Sequence, residues 1–317
     1  MTTNSPIKAH PTVSVVLTAY KEPVDQVNCA LNSILNQSFN DFELLAVIDN
    51  PYDKIITEAF TKAAQKDQRI QVVKNETNLG LAGALNKAID LAHGDYICRM
   101  DADDISKPNR IEDELNYLEE NNLDLIGGYV SVIDENDNIL YNINDIPTKP
   151  NKIAKALTWN NCVPHPSWLG KRTLFKQYYR DIPLCEDYDF LLRAVLSGAR
   201  IGNVPKQVLY YRMSVDSISR THLFEQYCAQ RVLTACYKQN KEATIEEVLS
   251  AIKGKGASNR ARKYSKAHYF FNEGLAALKQ KHFFLALKRI LPIPFVSPTY
   301  VGKIIRLARA ALISLLP

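Results

Sequence analysis

The sequence predicts an α/β protein built on a mostly parallel, doubly wound sheet, with an α-helical extension at its C-terminal end. Short apolar runs alternate with stretches of helical periodicity in the N-terminal part of the chain, as expected for repeated β-α-β units. Residues 1–221 hold 23 Lys and Arg against 29 Asp and Glu, whereas residues 222–317 hold 16 against 5. We therefore divide the 317 residues into a flexible N-terminus (1–11), an α/β domain (12–221) and a basic helical region (222–317).

Local patterns predict the individual elements. Continuous apolar runs or alternation predict strands at residues 14–20, 43–48, 70–73, 96–101, 125–133 and 139–143. Apolar residues three or four positions apart, such as Val27, Leu31 and Ile34, predict a first helix, and the same spacing predicts helices at about residues 53–64, 81–92 and 110–120. In the basic region this spacing predicts helices at residues 222–237, 245–252 and 263–278. Pro292 and Pro294 interrupt an apolar stretch at 283–296.

The composition is that of an ordinary soluble protein, with 46% hydrophobic and 23% charged residues. The six cysteines are scattered without a C-x-x-C pair, which is typical of small buried side chains in a reducing compartment. Residues 1–11 carry no apolar export signal, and the chain has no run of 18 apolar residues that would predict a spanning helix. We therefore expect a cytoplasmic protein.

Three carboxylates, Asp101, Asp103 and Asp104, follow one another closely at the end of a predicted strand. Residues two apart on an extended chain share a face, so Asp101 and Asp103 are expected to act together while Ala102 points away. Such an oxygen cluster suits Mg²⁺ or Mn²⁺, which carboxylates commonly hold together with substrate phosphates. The alternative is a solvated acidic turn that precedes the next helix.

Polar residues also end the first two strands, at Tyr20 and Asp49. Open α/β sheets bind ligands beyond the carboxyl ends of their strands, so both residues and Asp101 are expected to line one crevice. The chain contains neither G-x-G-x-x-G nor G-x-x-x-x-G-K-[ST], which argues against a dinucleotide-binding enzyme and a P-loop nucleotidase. Gly80 and Gly83 open a predicted helix whose N-terminus could admit a phosphate, and a helix entry without a ligand is the alternative.

A second polar group comprises residues 163–168 and the acidic pair Glu186 and Asp187. The apolar residues that follow, among them Leu191 and Val195, predict a helix that begins at this pair. Carboxylates at a helix N-terminus commonly do no more than complement the helix dipole. The pair alone therefore does not indicate chemistry.

The order and approximate spacing of these motifs resemble those of the family 2 glycosyltransferases over about residues 12–220. The matching motifs are Thr18-Ala19-Tyr20, Asp49, Asn78-Leu79-Gly80, Asp101-Ala102-Asp103-Asp104, His165-Pro166-Ser167, Glu186-Asp187 and Tyr211-Arg212. The chain is most similar to the bacterial members that build capsular and other surface polysaccharides. The resemblance implies a GT-A fold and an inverting transfer from a nucleotide-diphosphate sugar, of the UDP type, to a hydroxyl of a glycan or lipid-linked acceptor.

The resemblance also implies roles for single residues. Asp103 and Asp101 would hold the Mn²⁺ or Mg²⁺ ion of the donor site. Asp187 would be the catalytic base, and Glu186, His165 and Trp168 would line the acceptor site. The residues implied in nucleotide binding are Thr18, Ala19, Tyr20, Glu22, Asp49, Asn78, Gly80, Asn86, Asp101 and Arg212.

The chain departs from the family pattern at two places. It has Ile48-Asp49-Asn50-Pro51 where the family often has Asp-Asp-Gly-Ser, so that only the second acid is present. Ser214 stands two positions after Arg212, where the family often has a histidine that reaches the metal or diphosphate. Diphosphate binding would then rest on Arg212 and the hydroxyls of Ser217 and Ser219.

The end of the chain has Lys303, Arg306 and Arg309 three residues apart beside an apolar face. This pattern predicts a basic amphipathic helix that contacts the inner face of an anionic membrane. A helical bundle packed on the catalytic domain, or on a second subunit of a homo-oligomer, is the alternative.

Two other functions are alternatives to the transferase. A nucleotidyltransferase commonly carries a basic, Gly-rich loop after its first strand, and residues 20–23 do not form one. A non-catalytic nucleic-acid-binding module could use the basic tail, but the tail has no recognised nucleic-acid motif. We therefore expect no nucleic-acid partner.

Overall fold

The computed structural model describes residues 10–213, 221–254 and 257–315. The α/β part contains, in chain order, β1 (Val13–Ala19), α1 (Val24–Leu35), β2 (Phe42–Ile48), α2 (Lys54–Ala64), β3 (Ile70–Lys74), α3 (Gly80–Leu91), β4 (Tyr96–Asp101), β5 (Ile105–Ser106), α4 (Arg110–Glu120), β6 (Leu125–Ile133), β7 (Ile139–Ile143), α5 (Pro150–Leu157), a 3₁₀ turn (His165–Ser167), β8 (Leu169–Lys171), α6 (Arg172–Phe175), α7 (Glu186–Leu196) and β9 (Ile201–Arg212). The C-terminal part contains α8 (Leu223–Tyr237), α9 (Ile245–Ile252), α10 (Ala257–Lys279), α11 (Phe283–Ile290), α12 (Ile293–Val296) and α13 (Pro298–Leu315).

The strands form one sheet in the order β3-β2-β1-β4-β8-β6-β9-β5, and β7 pairs with β6. The predicted α/β class is confirmed, and the pairing from β3 to β4 is parallel throughout. Beyond β4 the sheet is mixed, because β8 runs antiparallel to both of its neighbours and only β6 and β9 pair in parallel there. The expectation of a mostly parallel sheet therefore holds for the first half alone.

Helices cover both faces of the sheet, and each face has its own core. Along β1 the side chain of Val16 packs with one core, whereas Val15 and Leu17 pack with the other. This alternation is what a strand buried on both faces requires. The helices α3, α5 and α7 pack on the Val16 side, and α1, α2 and α4 pack on the opposite side. The carboxyl ends of β1, β2 and β4 remain free between the two helical layers.

The C-terminal helices attach to the same body. Ala229, Leu233 and Val248 from α8 and α9 are buried in the core that contains α7, and Ile313 of α13 joins them. A third core, centred on Tyr264, holds α8, α10, α12 and α13 together. The domain boundary at residue 221 stays a prediction, since the helical region shares part of its core with the α/β domain.

The basic residues of α13 contact the protein, which favours the alternative of a helical bundle packed on the catalytic domain. The Arg306 guanidinium donates to the Thr234 hydroxyl at 3.0 Å, and Arg309 stacks on Trp159 with its guanidinium carbon 4.3 Å from the ring centroid. The Lys303 ammonium lies 5.8 Å from the ring centroid of Tyr300, and burial lowers its pKa. These cations therefore contact the protein, and Arg309 is exposed as well, as are the large apolar side chains of Ile305, Leu307, Leu312 and Leu315 on this helix. Among the described helices none is both long and apolar enough to cross a bilayer.

Candidate active site

The crevice begins where β1, β2 and β4 end side by side. Thr18 pairs with Asp101 across β1 and β4, and Ala19 pairs with Ile48 across β1 and β2. The backbone N–H of Asp49 donates to the carbonyl of Ala19 at 2.9 Å, which continues the ladder by one residue. Thr18 and Asp49 are buried, whereas the side chain of Tyr20 is exposed at the rim. Parallel pairing thus brings the predicted strand-end residues to one edge.

Asp49 holds the loop that leads into α3. Its Oδ1 accepts hydrogen bonds from Asn75 Nδ2 at 2.7 Å and from the backbone N–H of Leu79 at 2.9 Å. The Asn78 side chain in turn accepts from the N–H of Gly80 at 2.8 Å. Gly80 has a φ of +71°, a conformation that favours glycine, and nothing lies within 4 Å of the position its Cβ would take. The loop therefore leaves open space at the rim beside the helix N-terminus.

The acidic cluster lies at the end of β4. Carboxylate oxygens of Asp101, Asp103 and Asp104 lie within 4.8 Å of one another, and the intervening Ala102 is buried, as the alternation predicts. Asp104 turns inward, where its Oδ1 accepts from the backbone N–H of Arg212 at 2.7 Å. Its Oδ2 is buried without a hydrogen-bond partner in the described structure. An orphaned carboxylate oxygen beside two further carboxylates is a donor set that fits a hard divalent cation.

Arg99 is the buried cation of the site. Its guanidinium pairs with both carboxylate oxygens of Asp101, and the Nη1 to Oδ2 distance is 2.7 Å. The side chain is 3% exposed, and its Nε is buried without a partner among the residues described. Burial raises the pKa values of Asp103 and Glu186, and the charge of Arg99 offsets part of the rise at both. This arginine therefore links two groups of carboxylates.

Burial and mutual repulsion raise the pKa values of the carboxylates near the end of β4. The pKa of Asp103 is raised to about 7 by burial and by the charges of Asp101 and Glu22. Burial also raises the pKa of Glu22, whose Oε2 accepts from the backbone N–H groups of Tyr20 at 2.6 Å and Lys21 at 3.0 Å. Glu22 thus belongs to the acidic group, and a bound cation would relieve its repulsion.

A second carboxylate group stands at the start of α7. Asp187 Oδ2 accepts from Asn161 Nδ2 at 2.8 Å, and its Oδ1 accepts from the N–H of Tyr188 at 2.7 Å. Burial raises the pKa of Asp187, while burial and the neighbouring Asp187 charge raise the pKa of Glu186 to about 7. The charge of Asp101 contributes to the shift of Glu186, so the two acidic groups interact through the crevice.

An aromatic group underlies this second acidic pair. The Tyr179 hydroxyl lies 2.9 Å from His165 Nε2, and the His165 ring stacks edge-on against Trp168 at a centroid distance of 4.5 Å. Burial, followed by the charge of Arg99, holds the pKa of His165 well below its usual range, so the imidazole is neutral. Trp168 is fully buried and its indole N–H donates to the carbonyl of Val163 at 3.1 Å. Trp168 is a core residue here, and its place in the acceptor site stays a prediction.

Two predicted nucleotide contacts serve the protein itself in this structure. Asn86 clamps the backbone of Tyr179, donating to its carbonyl and accepting from its N–H, both at 2.8 Å. Arg212 is 4% exposed and donates to the carbonyls of Asp103 at 2.8 Å and Asp134 at 2.7 Å, and to the carboxylate of Asp137 at 2.6 Å. We therefore assign both side chains to positioning. Ser214, Ser217 and Ser219 lie outside the described residues.

Sequence reasoning missed three residues of this site. Arg99 lies two positions before Asp101 on the same strand, so alternation alone could have placed it on the crevice side. Tyr179 and Asn161 reach the site from loops, and no local pattern in the sequence marks either of them. Their hydrogen bonds join residues 14 and 26 positions apart in the chain, to His165 and Asp187 respectively.

A family model described as glycosyl transferase family 2 matches residues 14–179. An uncharacterized glycosyltransferase of Methanocaldococcus jannaschii is 37% identical over 225 residues, which is 68% of this chain and 78% of that protein. The O-antigen biosynthesis glycosyltransferase WbnJ of Escherichia coli is 30% identical over 244 residues, which is 76% of this chain and 93% of that protein.

A similar fold is seen in the crystal structure of residues 1–349 of S. aureus TarS in complex with UDP-GlcNAc. The TM-score is 0.57 at 18% sequence identity, over 90% of this chain and 92% of that one. The similarity extends over the C-terminal helices as well as the sheet, because nearly the whole of each chain is matched.

The raised pKa values generate a prediction about stability. Between about pH 4.5 and pH 7 the folded, metal-free protein holds protons on Glu186 and Asp103 that the unfolded chain releases. The free energy of unfolding should therefore fall as the pH rises through this range. Glu186→Gln should remove part of the fall, measured by urea unfolding at several pH values. Glu76→Gln, at an exposed carboxylate, is the control that should keep the full slope. An undiminished slope in Glu186→Gln would contradict the assignment.

Proposed function

This chain belongs to glycosyl transferase family 2, and we propose that it is an inverting, metal-dependent member that uses a UDP-sugar. The acceptor would be a hydroxyl of a glycan or lipid-linked saccharide in surface polysaccharide synthesis. The observation that carries the proposal is the pair of acidic groups, Asp101 with Asp103 and Glu186 with Asp187, which meet across the buried Arg99. A donor site and a proton acceptor on opposite sides of one crevice are what an in-line transfer needs. Family membership favours this activity over the nucleotidyltransferase and nucleic-acid-binding alternatives.

The donor site is assigned to the edge formed by β1, β2 and β4. Asp49 uses Oδ1 within the protein, and its Oδ2 accepts no hydrogen bond from the described residues, so it remains for an N–H of the base. The open rim at Gly80 leaves room beside Tyr20 for the ribose. The UDP-GlcNAc held by TarS in the same fold supports a UDP-sugar as the donor.

Asp103 and Asp101 would hold a divalent cation, Mn²⁺ or Mg²⁺, whose charge would stabilise the departing diphosphate. Asp104 completes the acidic turn but is directed toward β9, where it fixes the backbone of Arg212. The Arg212 side chain also donates a hydrogen bond to the carbonyl of Asp103 in the same turn. The protein therefore holds its carboxylates in place before any ligand arrives, which reduces the reorganisation needed during the reaction.

Asp187 is the proposed general base. It would take the proton of the acceptor hydroxyl as that oxygen bonds to the anomeric carbon and the bond to the diphosphate oxygen breaks. Attack from the face opposite the leaving group inverts the configuration at the anomeric carbon. Asn161 fixes the carboxylate of Asp187, and its raised pKa suits a group that must accept a proton near neutral pH. Glu186 is assigned to the acceptor hydroxyls, with His165 beneath it as a neutral hydrogen-bonding group.

The place of the reaction in surface polysaccharide synthesis rests on the relatives. WbnJ carries the description of an O-antigen biosynthesis glycosyltransferase and is matched over 93% of its length. Incubation with a panel of sugar nucleotides, with nucleotide release measured in the presence and absence of Mn²⁺, would identify the donor. Release with no member of the panel would contradict the proposed activity.

Asp103→Asn should abolish metal-dependent donor binding and leave the fold intact, because it removes a ligand charge at a strand end without changing core volume. Calorimetric titration of UDP in the presence of Mn²⁺ measures the effect, and thermal unfolding checks the fold. Asp25→Asn, an exposed carboxylate in the first turn of α1, is the matched control. If Asp103→Asn binds UDP and Mn²⁺ as tightly as the control, the metal site lies elsewhere.

Asp187→Asn should lower turnover by about 10²-fold or more, the scale of general base catalysis, with the affinity for UDP nearly unchanged. Asn161→Ala should lower turnover by less, because it releases the carboxylate without removing it. Asp181→Asn, at an exposed position of the preceding loop, serves as the control for charge. A larger loss of turnover in Glu186→Gln than in Asp187→Asn would reverse the two roles.

A further inference from the structure

The largest exposed apolar side chains of the C-terminal part lie together on α11 and α12. Phe284 is 83% exposed and Phe295 is 90% exposed, and Phe283, Leu287 and Leu291 are each more than half exposed. We call these five residues the apolar ridge. Single exposed apolar residues are ordinary, whereas five large ones within 13 consecutive residues indicate an interaction site.

The ridge has a defined inner and outer side. Ala286 and Ile293 are buried, and Ile290 packs so closely on α10 that a Cβ at Gly274 would meet it at 2.6 Å. Phe283, Leu287 and Leu291 are four positions apart and therefore lie on the same side of the helix. Ala286 and Ile290 are each three positions from a residue of this stripe and lie on its flank toward α10, so α10 covers that flank and leaves the ridge exposed.

The charge around the ridge has one sign. Residues 274–317 contain seven Lys and Arg and no Asp or Glu. Lys279, Lys281 and Lys288 are exposed beside the ridge, whereas Arg289 pairs with Glu273 at 2.9 Å. A second copy of the chain seated on this surface would bring lysines against lysines. An anionic lipid surface accepts both the apolar side chains and the cations.

We propose that the apolar ridge inserts into the interface of an anionic lipid bilayer, with Lys279, Lys281 and Lys288 at the lipid headgroups. This inference replaces α13, whose basic residues contact the protein, as the membrane-facing element. Insertion of the ridge into a bilayer does not depend on the proposed glycosyl transfer. Its role in bringing the active site to a lipid-linked acceptor rests on that proposed function.

The ridge is coupled to the acceptor side of the active site. The α10 helix packs on α8 through Tyr264 and Phe224, whose ring centroids are 5.6 Å apart. Gln226 of α8 donates to the carbonyl of Leu184, two residues before Glu186, at 3.2 Å. A protein held by its ridge would therefore present the Glu186 side of the crevice at a fixed height above the bilayer, where a lipid-linked acceptor could reach it.

Co-sedimentation with vesicles tests the proposal, using phosphatidylcholine vesicles with and without phosphatidylglycerol. The intact chain should sediment with the anionic vesicles and not with the neutral ones. The double variant Phe284→Asp with Phe295→Asp should lose binding by at least tenfold, and the triple variant with glutamine at residues 279, 281 and 288 should lose about 10²-fold. Tyr52→Asp, which is 87% exposed in the α/β domain, is the matched control and should bind as the intact chain does.

UDP titration of each variant separates this proposal from the proposed function, because unchanged UDP affinity shows that the fold and the donor site are retained. Sedimentation of the ridge variants equal to that of the intact chain would overturn the proposal. The proposal would also be overturned if the intact chain sedimented with neither kind of vesicle. A dimer that the Phe284→Asp and Phe295→Asp variant converts to monomer, without vesicle binding by the intact chain, would instead make the ridge a subunit interface.

Discussion

The site depends on one buried charge, the guanidinium of Arg99. A buried cation is stable only when it is paired, and Arg99 is paired through two hydrogen bonds with Asp101. Burial raises the pKa values of Asp103, Glu186 and Asp187, and this charge offsets part of each rise; after burial, it also helps keep His165 neutral. Without it, the carboxylates of the two acidic groups would share a largely buried crevice without the guanidinium that interacts with both of them. The arginine thus allows two acidic groups with different tasks to stand close together in the folded chain.

The sequence was most informative about the first half of the sheet. Strands β1, β2 and β4 are buried on both faces along most of their length, so they stand out as short buried runs, and the helices between the strands have one apolar side each. The mixed half was predicted less fully, because β8 has three residues and β5 has two, too few to show any period. The twelve-residue β9 was not predicted either, since Pro205 and Lys206 interrupt its apolar pattern. The predicted helices of the basic region overlap the observed ones. A periodic pattern identifies the apolar side of a helix, however, and does not say what covers that side. Arg306 and Arg309 therefore turned toward Thr234 and Trp159 and away from the expected lipid.

The same distinction applies to the site. Carboxylates at strand ends and at a helix N-terminus can be located from the pattern, because the fold itself brings those positions to one edge. The role of Trp168 could not be predicted from the pattern. A large aromatic residue next to a polar motif can line a binding site or be buried in the core, and the sequence does not distinguish the two. Asn86 is similar, because an amide hydrogen-bonds equally well to a nucleotide and to the backbone of Tyr179. Asn161 hydrogen-bonds to Asp187, which is 26 positions away in the chain, and no local sequence pattern predicts that contact.

The inward contacts of α13 have a practical consequence for handling this protein. A hydroxyl group and an indole ring are neutral, so the bonds from Arg306 and Arg309 to them are weakened little by salt. Attraction between exposed lysines and lipid headgroups is screened within about 10 Å at 0.1 M salt. A salt wash would therefore weaken the hold of the lysines on a membrane pellet and leave the protein's own helices docked. Its recovery in the supernatant or the pellet would then depend on the extraction buffer rather than on the state of its fold.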